Sequence, residues 1–328
     1  MERIIFLKKD DKKMKSFIGY SLDKDVRYRA TSGGVGSSLL KWLFDKKIIE
    51  TSISLSYNRK TLHYEPHLIH SFEEYQITGS VYHEIDLVSF IKANVKNIKG
   101  GFACFSLPCQ TRAIRAIVEK SGHKVLIIGL TCSSQQTFAA TDFLLKCLKL
   151  DKESILHIQY RGNGWPGGIQ IQKKTGDSIF VSNNHSIWTL IFHSRLFIRP
   201  KCFMCQDTLN KYSDFTLADP WLSEYVASEK TGKTIIMSNR FEQTGKLLLQ
   251  CESDGYVVLD DMLESMAMKS QMSTIIRKES YRKHKKLVKF FRKMINKKFY
   301  QKVVENSFFF DLHCKMRVAF ERILLKNF

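Results

Sequence analysis

Apolar positions along the first half of the chain follow two alternating rhythms. Leu39, Leu40, Leu43 and Phe44 fall at helical spacing within "ATSGGVGSSLLKWLF" (residues 30–44), which predicts a Gly-rich turn opening into an amphipathic helix. "IIETSISLSYN" reads as a strand and residues 85–96 as a helix. "GGFACFSLPCQTRAIRAIV" then reads as strand, turn and helix, and "HKVLIIGLTCSSQQTFAATDFLLKCLKL" repeats that order. Strand and helix signals in alternation predict a parallel sheet covered by helices. From 155 to 185 the strand signals are shorter and more polar, around the turn-rich "YRGNGWPGG". "LFIRPKCFMC", "DFTLADPW" and "GKTIIMSN" follow, and from about residue 260 the pattern is helical and basic. The expected fold is α/β: a mostly parallel sheet core with helices on its faces, a smaller mixed α+β part, and a basic helical C-terminal tail. The expected divisions are 1–100, 101–265 and 266–328, with no internal repeat or low-complexity linker between them.

Charge changes the picture only at the C-terminal end. The formal net charge is +20, and Arg277 to Lys302 hold twelve Lys or Arg against the single acid Glu279. On a helix, Leu287, Phe291, Met294 and Ile295 share one face, with Lys285, Lys289, Arg292 and Lys293 on the flanks and the opposite side. A basic amphipathic helix of this kind lies on anionic membrane, so residues 275–302 are expected to dock on such a surface. Nucleic acid is not the expected partner, because base-stacking aromatics interleave with the basic residues only loosely. "MERIIFLKKDDKKMKSF" lacks a signal-peptide core, and no apolar run reaches the roughly 18–20 residues of a membrane span. The expectation is a soluble cytoplasmic chain, with peripheral association on the inner face of the membrane through the basic segment.

Cysteine carries the candidate chemistry. Cys104, Cys109, Cys132, Cys147, Cys202, Cys205, Cys251 and Cys314 are present. Without an export signal a disulfide framework is not expected. Cys104 falls in a strand and Cys147 in a helix, so both are expected in the core. Cys109, Cys132, Cys202 and Cys205 are expected in loops after strands or in tight turns, where ligands gather in parallel sheets. Four thiolates can hold tetrahedral zinc or a 4Fe-4S cluster, and spacing alone does not separate the two. Ser32, Gly33 and Gly34 precede a helix N-terminus, which suits a phosphate, although no complete nucleotide fingerprint is present. His63, His67 and His70 do not form a helical zinc face, because Pro66 lies among them.

"SGGVGSSLL", "GSVYHEIDL", "SLPCQTRAIRA", "IIGLTC", "YRGNGW", "RPKCFMC" and "SDFTLADPW" occur in the order seen in one family. Over roughly residues 28–240 the chain resembles the coenzyme F-420 hydrogenase/dehydrogenase beta-subunit family. The resemblance implies a flavin and iron–sulfur oxidoreductase that passes electrons between a donor protein or reduced cofactor, FAD, a 4Fe-4S cluster and a substrate. Bacterial members often accompany polysaccharide-assembly genes, which implies a sugar or lipid-linked precursor as substrate. Cys109, Cys132, Cys202 and Cys205 would ligate the cluster; Ser32, Gly33 and Gly34 would approach the FAD phosphates. Ser80 and Tyr82 would lie along the flavin, and Arg161 and Asp219 would line the site. The departures are Val81 for the family's lysine, Ser106-Leu107-Pro108-Cys109-Gln110 for Gly-Thr-Pro-Cys-Gln, Ser133-Ser134 for His-Gly, and Ala218-Asp219-Pro220-Trp221 for Gly-Asp-x-Trp. No cysteine precedes Cys104, so a second cluster is not expected. The departures leave open the use of coenzyme F-420 itself, and a catalytically weakened scaffold or basic binding protein on the same fold.

Overall fold

The structure, a computed structural model, describes residues 14–226, 232–295 and 297–325. Its strands are β1 (Lys15–Ser21), β2 (Ser52–Asn58), β3 (His63–Ile69), β4 (Phe102–Ser106), β5 (Val125–Leu130), β6 (Ile155–Gln159), β7 (Gly168–Lys173), β8 (Ser178–Ser182), β9 (Phe215–Ala218), β10 (Thr234–Ser238) and β11 (Val257–Met262). Its helices are α1 (Lys24–Arg29), α2 (Val35–Asp45), α3 (Leu87–Asn94), α4 (Pro108–Lys120), α5 (Ala139–Cys147), α6 (Ile187–Ser194), α7 (Ser223–Val226), α8 (Lys246–Ser253), α9 (Glu264–Lys283), α10 (Lys285–Ile295), α11 (Lys298–Val303) and α12 (Ser307–Leu325).

Six strands form the central sheet in the order β11-β1-β10-β9-β5-β4. The β4–β5 and β5–β9 pairs are parallel, as the strand–turn–helix repeat predicts. The β9–β10, β10–β1 and β1–β11 pairs are antiparallel. Four strands, β1, β4, β5 and β9, therefore run one way, and β10 and β11 run back between or beside them. Side chains alternate across this sheet as the strand pleat requires. Ile128 and Ile236 join α2's Val35, Leu39, Leu40 and Leu43 on one face. Ile127 joins Ile91 and Ile114 on the other, under α3 and α4. Each of those α2 leucines is fully buried, worth about 1.5–3 kcal/mol apiece.

The polar stretch 155–185 folds as the antiparallel sheet β6-β7-β8. It shares a second core with the β2–β3 hairpin, α5 and α6, through Tyr64, Phe143, Leu144, Ile158, Tyr160 and Trp188.

Two expectations need correction. Cys147 is exposed, not core: it ends α5 two residues past the last buried position, Leu145. Cys104 is buried as expected. The basic helical segment from 266 packs on the sheet, where α9 lies on β1 and β10 and buries Ala267, Ser270, Gln271, Lys278 and Tyr281. The face proposed for membrane contact is turned inward as well. Val288, Phe291 and Ile295 of α10 are buried against Leu196, Phe203, Tyr281 and Leu324, with Met294 packed beside them. Only Leu287 of the four named positions stays on the exposed side.

No helix among the described residues is long and apolar enough to cross a membrane.

Candidate functional site

Two cavities open at the C-terminal ends of the parallel strands. The smaller, of about 140 Å³, is lined by Cys109, Cys132, Cys202 and Cys205 together with Leu107, Pro108, Lys201, Met204 and Lys278. The four sulfurs arrive from three pieces of backbone. Cys109 sits in the first turn of α4, after a Pro whose missing N–H costs nothing there. Cys132 follows β5, its N–H bonded to the Thr208 carbonyl at 3.0 Å. Cys202 lies inside the 3-10 turn Pro200–Met204, and Cys205 ends that turn. Cys202 therefore lies in a tight turn, and Cys109 lies in the first turn of a helix rather than in a loop.

The thiols are embedded in donors. The Gln135 N–H points at Cys202 Sγ at 3.5 Å. Lys278 Nζ donates to the Cys132 and Asp207 carbonyls at 2.8 Å each, and to Cys205 Sγ at 3.4 Å. Burial pushes the Cys132 thiol up to about 12, with Lys278 pulling the other way, and burial also raises Cys202. Such thiols release protons readily only to a metal. Among the described residues no three His, Cys, Asp or Glu side chains stand in reach of one ion. A tetrahedral zinc at ~2.3 Å from each sulfur would draw the sulfurs to about 3.8 Å apart. The four thiols line one cavity, and four thiolates gathered in this way suit either zinc or an iron–sulfur cluster.

The larger cavity, of about 630 Å³, lies against the first, within the size range of cofactor sites. Leu107, Cys132, Ser133, Ser134 and Gln135 line both cavities. Thr31, Ser32 and Gly34 line the large one, as do Ser80, Tyr82, Arg161 and Asp219. Gly33 turns away. A Cβ there would stand 2.6 Å from Thr234 N, and its φ is +62°. Its glycine identity is fixed by the packing of the turn on β10 and by a backbone that L side chains avoid, not by approach to a ligand. The Thr234 hydroxyl donates to the Ser32 carbonyl and locks the turn.

Arg161 organises the opposite wall. Its Nη1 donates to Tyr82 Oη at 3.1 Å and Asp219 Oδ2 at 3.2 Å, and its Nη2 donates to the Thr31 carbonyl at 3.2 Å. Burial works against the charge of this side chain, but Tyr82 and Asp219 override it and hold the proton more tightly than in ordinary arginine. Ser80 is tied to Thr31, its N–H donating to Thr31 Oγ1 at 2.6 Å. Tyr82 also packs edge-on to Tyr160, so it serves core and cavity at once.

Sequence reasoning missed the roof. Ser270, Gln271, Ser273, Thr274 and Arg277 of α9 line the large cavity, Lys278 lines the small one, and Trp188 and His193 of α6 close the side. Gln271 Nε2 donates to the Asp219 carbonyl at 3.0 Å. Polar residues at 270, 271, 274, 277 and 278 repeat at helical spacing, a signal masked by the basic run that follows.

Comparison with known proteins converges on one family. The N-terminal family model for the coenzyme F-420 hydrogenase/dehydrogenase beta subunit matches residues 16–92, and the C-terminal model matches residues 101–265. The chain is 26% identical over 209 residues to a subunit of the F(420)H(2) dehydrogenase of Methanosarcina mazei. That stretch is 60% of this chain and 56% of the relative, so the match spans little more than half of that protein's length. A chain of the F-420-reducing NiFe hydrogenase complex from Methanosarcina barkeri, solved in a xenon derivatization, shares the fold with a TM-score of 0.62. It is 14% identical, and the match covers 81% of this chain and 89% of that one. The chain belongs to the coenzyme F-420 hydrogenase/dehydrogenase beta-subunit family, a family of oxidoreductases.

Proposed function

We propose that this oxidoreductase-family chain is flavin- and 4Fe-4S-dependent, with FAD in the large cavity and the cluster in the small one. One observation carries the reading: the two cavities share the wall Cys132–Gln135, so groups in them would be separated by a single stretch of chain. A flavin supplies exchange between hydride and single electrons, and the cluster supplies a one-electron relay. The chain's own work is placement. Cys109, Cys132, Cys202 and Cys205 would hold the cluster, with Lys278 balancing thiolate charge at Cys205. Ser32 and Gly34 offer the α2 N-terminus to phosphates, while Ser80, Tyr82, Arg161 and Asp219 shape the flavin wall. An electron donor protein or reduced cofactor completes the reading. A polysaccharide precursor as substrate, and use of coenzyme F-420, rest on resemblance alone.

Anaerobic purification followed by iron, sulfide and flavin analysis tests this directly. About four irons, four sulfides and one flavin per chain are expected. A colourless protein without iron would favour the scaffold reading instead.

A second reading concerns location. Phe308, Leu312, Met316 and Ile323 of α12 are exposed and lie within about 80° of one another at 100° per residue. Phe290 of α10 and Phe299 of α11 are also exposed, among exposed lysines. This surface suits an anionic membrane better than the inward face of α10 does. Co-sedimentation with anionic liposomes should fall in Phe308→Ser/Leu312→Ser, and binding unaffected by that double change would end this reading.

A further inference from the structure

Behind the serines that follow Cys132 lies a cluster of guanidinium groups the electron-transfer reading does not use. Arg277 Nη2 donates to Ser133 Oγ at 2.8 Å, and Arg195 Nη1 donates to Ser134 Oγ at 3.0 Å. Arg317 joins them through Glu321, which it meets at 2.8 Å and which Arg195 meets at 3.8 Å. Three guanidinium charges thus face one carboxylate, leaving two uncompensated. His193 adds none at neutral pH, because burial and the three arginines hold it down at about 4. Arg277 has no carboxylate within ion-pairing distance among the described residues, and Nη2 of Arg195 is buried without a hydrogen-bond partner, while its Nε faces Glu321 only at ion-pair distance. Removing such charge from water without an anion is costly.

Arg277 faces the large cavity rather than the outside solvent. Ser273, Thr274 and His193 line the cavity with it, on the α6–α9 side. Ser32 and Gly34, the turn assigned to the flavin phosphates, belong to the α1–α2 connection.

We infer that the α6–α9 corner of the large cavity binds a phosphoryl group carried by the substrate, not by the flavin, through Arg277, Thr274 and His193. A phosphoryl group carries about −1.5 to −2 charges near neutral pH, opposite in sign to this cluster, of which Arg277 lines the cavity and Arg195 and Arg317 stand behind it. Its oxygens accept from a guanidinium fork and from hydroxyls, the donors present here. The inference rests on the large cavity being the ligand site, and it specifies the substrate class as a phosphorylated compound.

The test is thermal melting of the full chain in inorganic phosphate and in chloride at matched ionic strength, with and without saturating FAD. The parent should be stabilised by phosphate in both cases. Arg277→Gln should melt no lower than the parent in chloride, since a repulsive charge is gone, and should lose at least tenfold in phosphate affinity while flavin titration stays unchanged. A phosphate response retained in Arg277→Gln overturns the inference. So does a parental response abolished by FAD, which would assign the corner to the flavin's own phosphates. If Arg277→Gln does not fold, Arg277→Lys keeps the charge without the fork, and a phosphate affinity equal to the parent's overturns the assignment. Absence of flavin binding alongside an Arg277-dependent phosphate response would end the flavin reading and leave this one standing.

Discussion

The small cavity is lined by sulfur, hydrocarbon, one buried ammonium and the Ser133–Gln135 stretch it shares with the large one, and it reaches the surface at Cys109, Lys201 and Met204. The large cavity is lined by hydroxyls, amides, aromatic rings and guanidinium groups, and a roof helix and Arg161 enclose it. Their supports differ as much as their linings. In the small cavity the four sulfurs come from three short stretches of backbone, one of them the single turn that carries both Cys202 and Cys205, and no hydrogen bond links one sulfur to another. In the large one, Arg161, Tyr82, Asp219, Thr31 and Gln271 are linked by hydrogen bonds, so the loss of one member releases the others. The first is a ring of sulfurs with no bonds among them, and the second is a single coupled frame.

The sharpest way to break this comparison is at the sulfurs. Cys202→Ser or Cys205→Ser should lower bound iron by more than about tenfold, since even a residue that only supports a metal ligand is worth roughly 10–100-fold. Cys147→Ser, exposed and remote, should keep parental iron. Equal iron in all three would remove the ligand assignment. Next is the coupled frame: Arg161→Met leaves Tyr82 Oη and the Asp219 carboxylate without their cation, and should cost about 3–5 kcal/mol. Urea unfolding and flavin titration should fall together, whereas iron should stay; a loss of iron alone would show that the cavities are not separately supported.

The third probes by pH the aromatic core beside the frame, where Tyr160 packs on both Tyr82 and His83. His83 Nε2 accepts the Tyr64 N–H at 2.9 Å, so the ring must be neutral there. Burial holds it down at about 4, below the usual 6.5. The unfolded chain binds that proton first, so the stabilisation is present above about pH 6.5 and is lost as pH falls through 4. Between pH 7 and 4.5, His83 should account for about 2–3 kcal/mol of lost stability. His83→Gln should show a correspondingly smaller drop in urea midpoint, and an unchanged drop would locate the acid sensitivity elsewhere. Smallest is Lys278→Gln, which loses a charged donor to two carbonyls and one sulfur and should cost about 2 kcal/mol with iron partly retained. Full retention of stability would mean that the lysine is not a strut of the small cavity.

The sulfurs were legible in the sequence because cysteine chemistry is specific to residue type, and the parallel half of the sheet because its strand–turn–helix pattern repeats. Tyr82, Arg161 and Asp219 were reachable only through family resemblance, since no local pattern marks a residue that closes a long-range network. α9 was hidden for a physical reason. Its inward positions, Ala267, Ser270, Gln271 and Lys278, are small or polar, so no apolar stripe announces a buried face. Gly33 misled in the opposite way: a glycine beside a helix start suggests a phosphate, but here it answers to Thr234 across the sheet.

The first strand of the sheet, β1, lies between β10 and β11, which are made more than two hundred residues later. During synthesis β1 must wait unpaired until residues 234–262 have left the ribosome, and the roof helix α9 follows only after them. Pairings so distant in sequence form slowly and late. The nascent chain therefore carries all four cysteines in the open before either cavity can close. The pocket that the four cysteines line is therefore completed only at the end of synthesis, and until then their thiols stand open to oxygen.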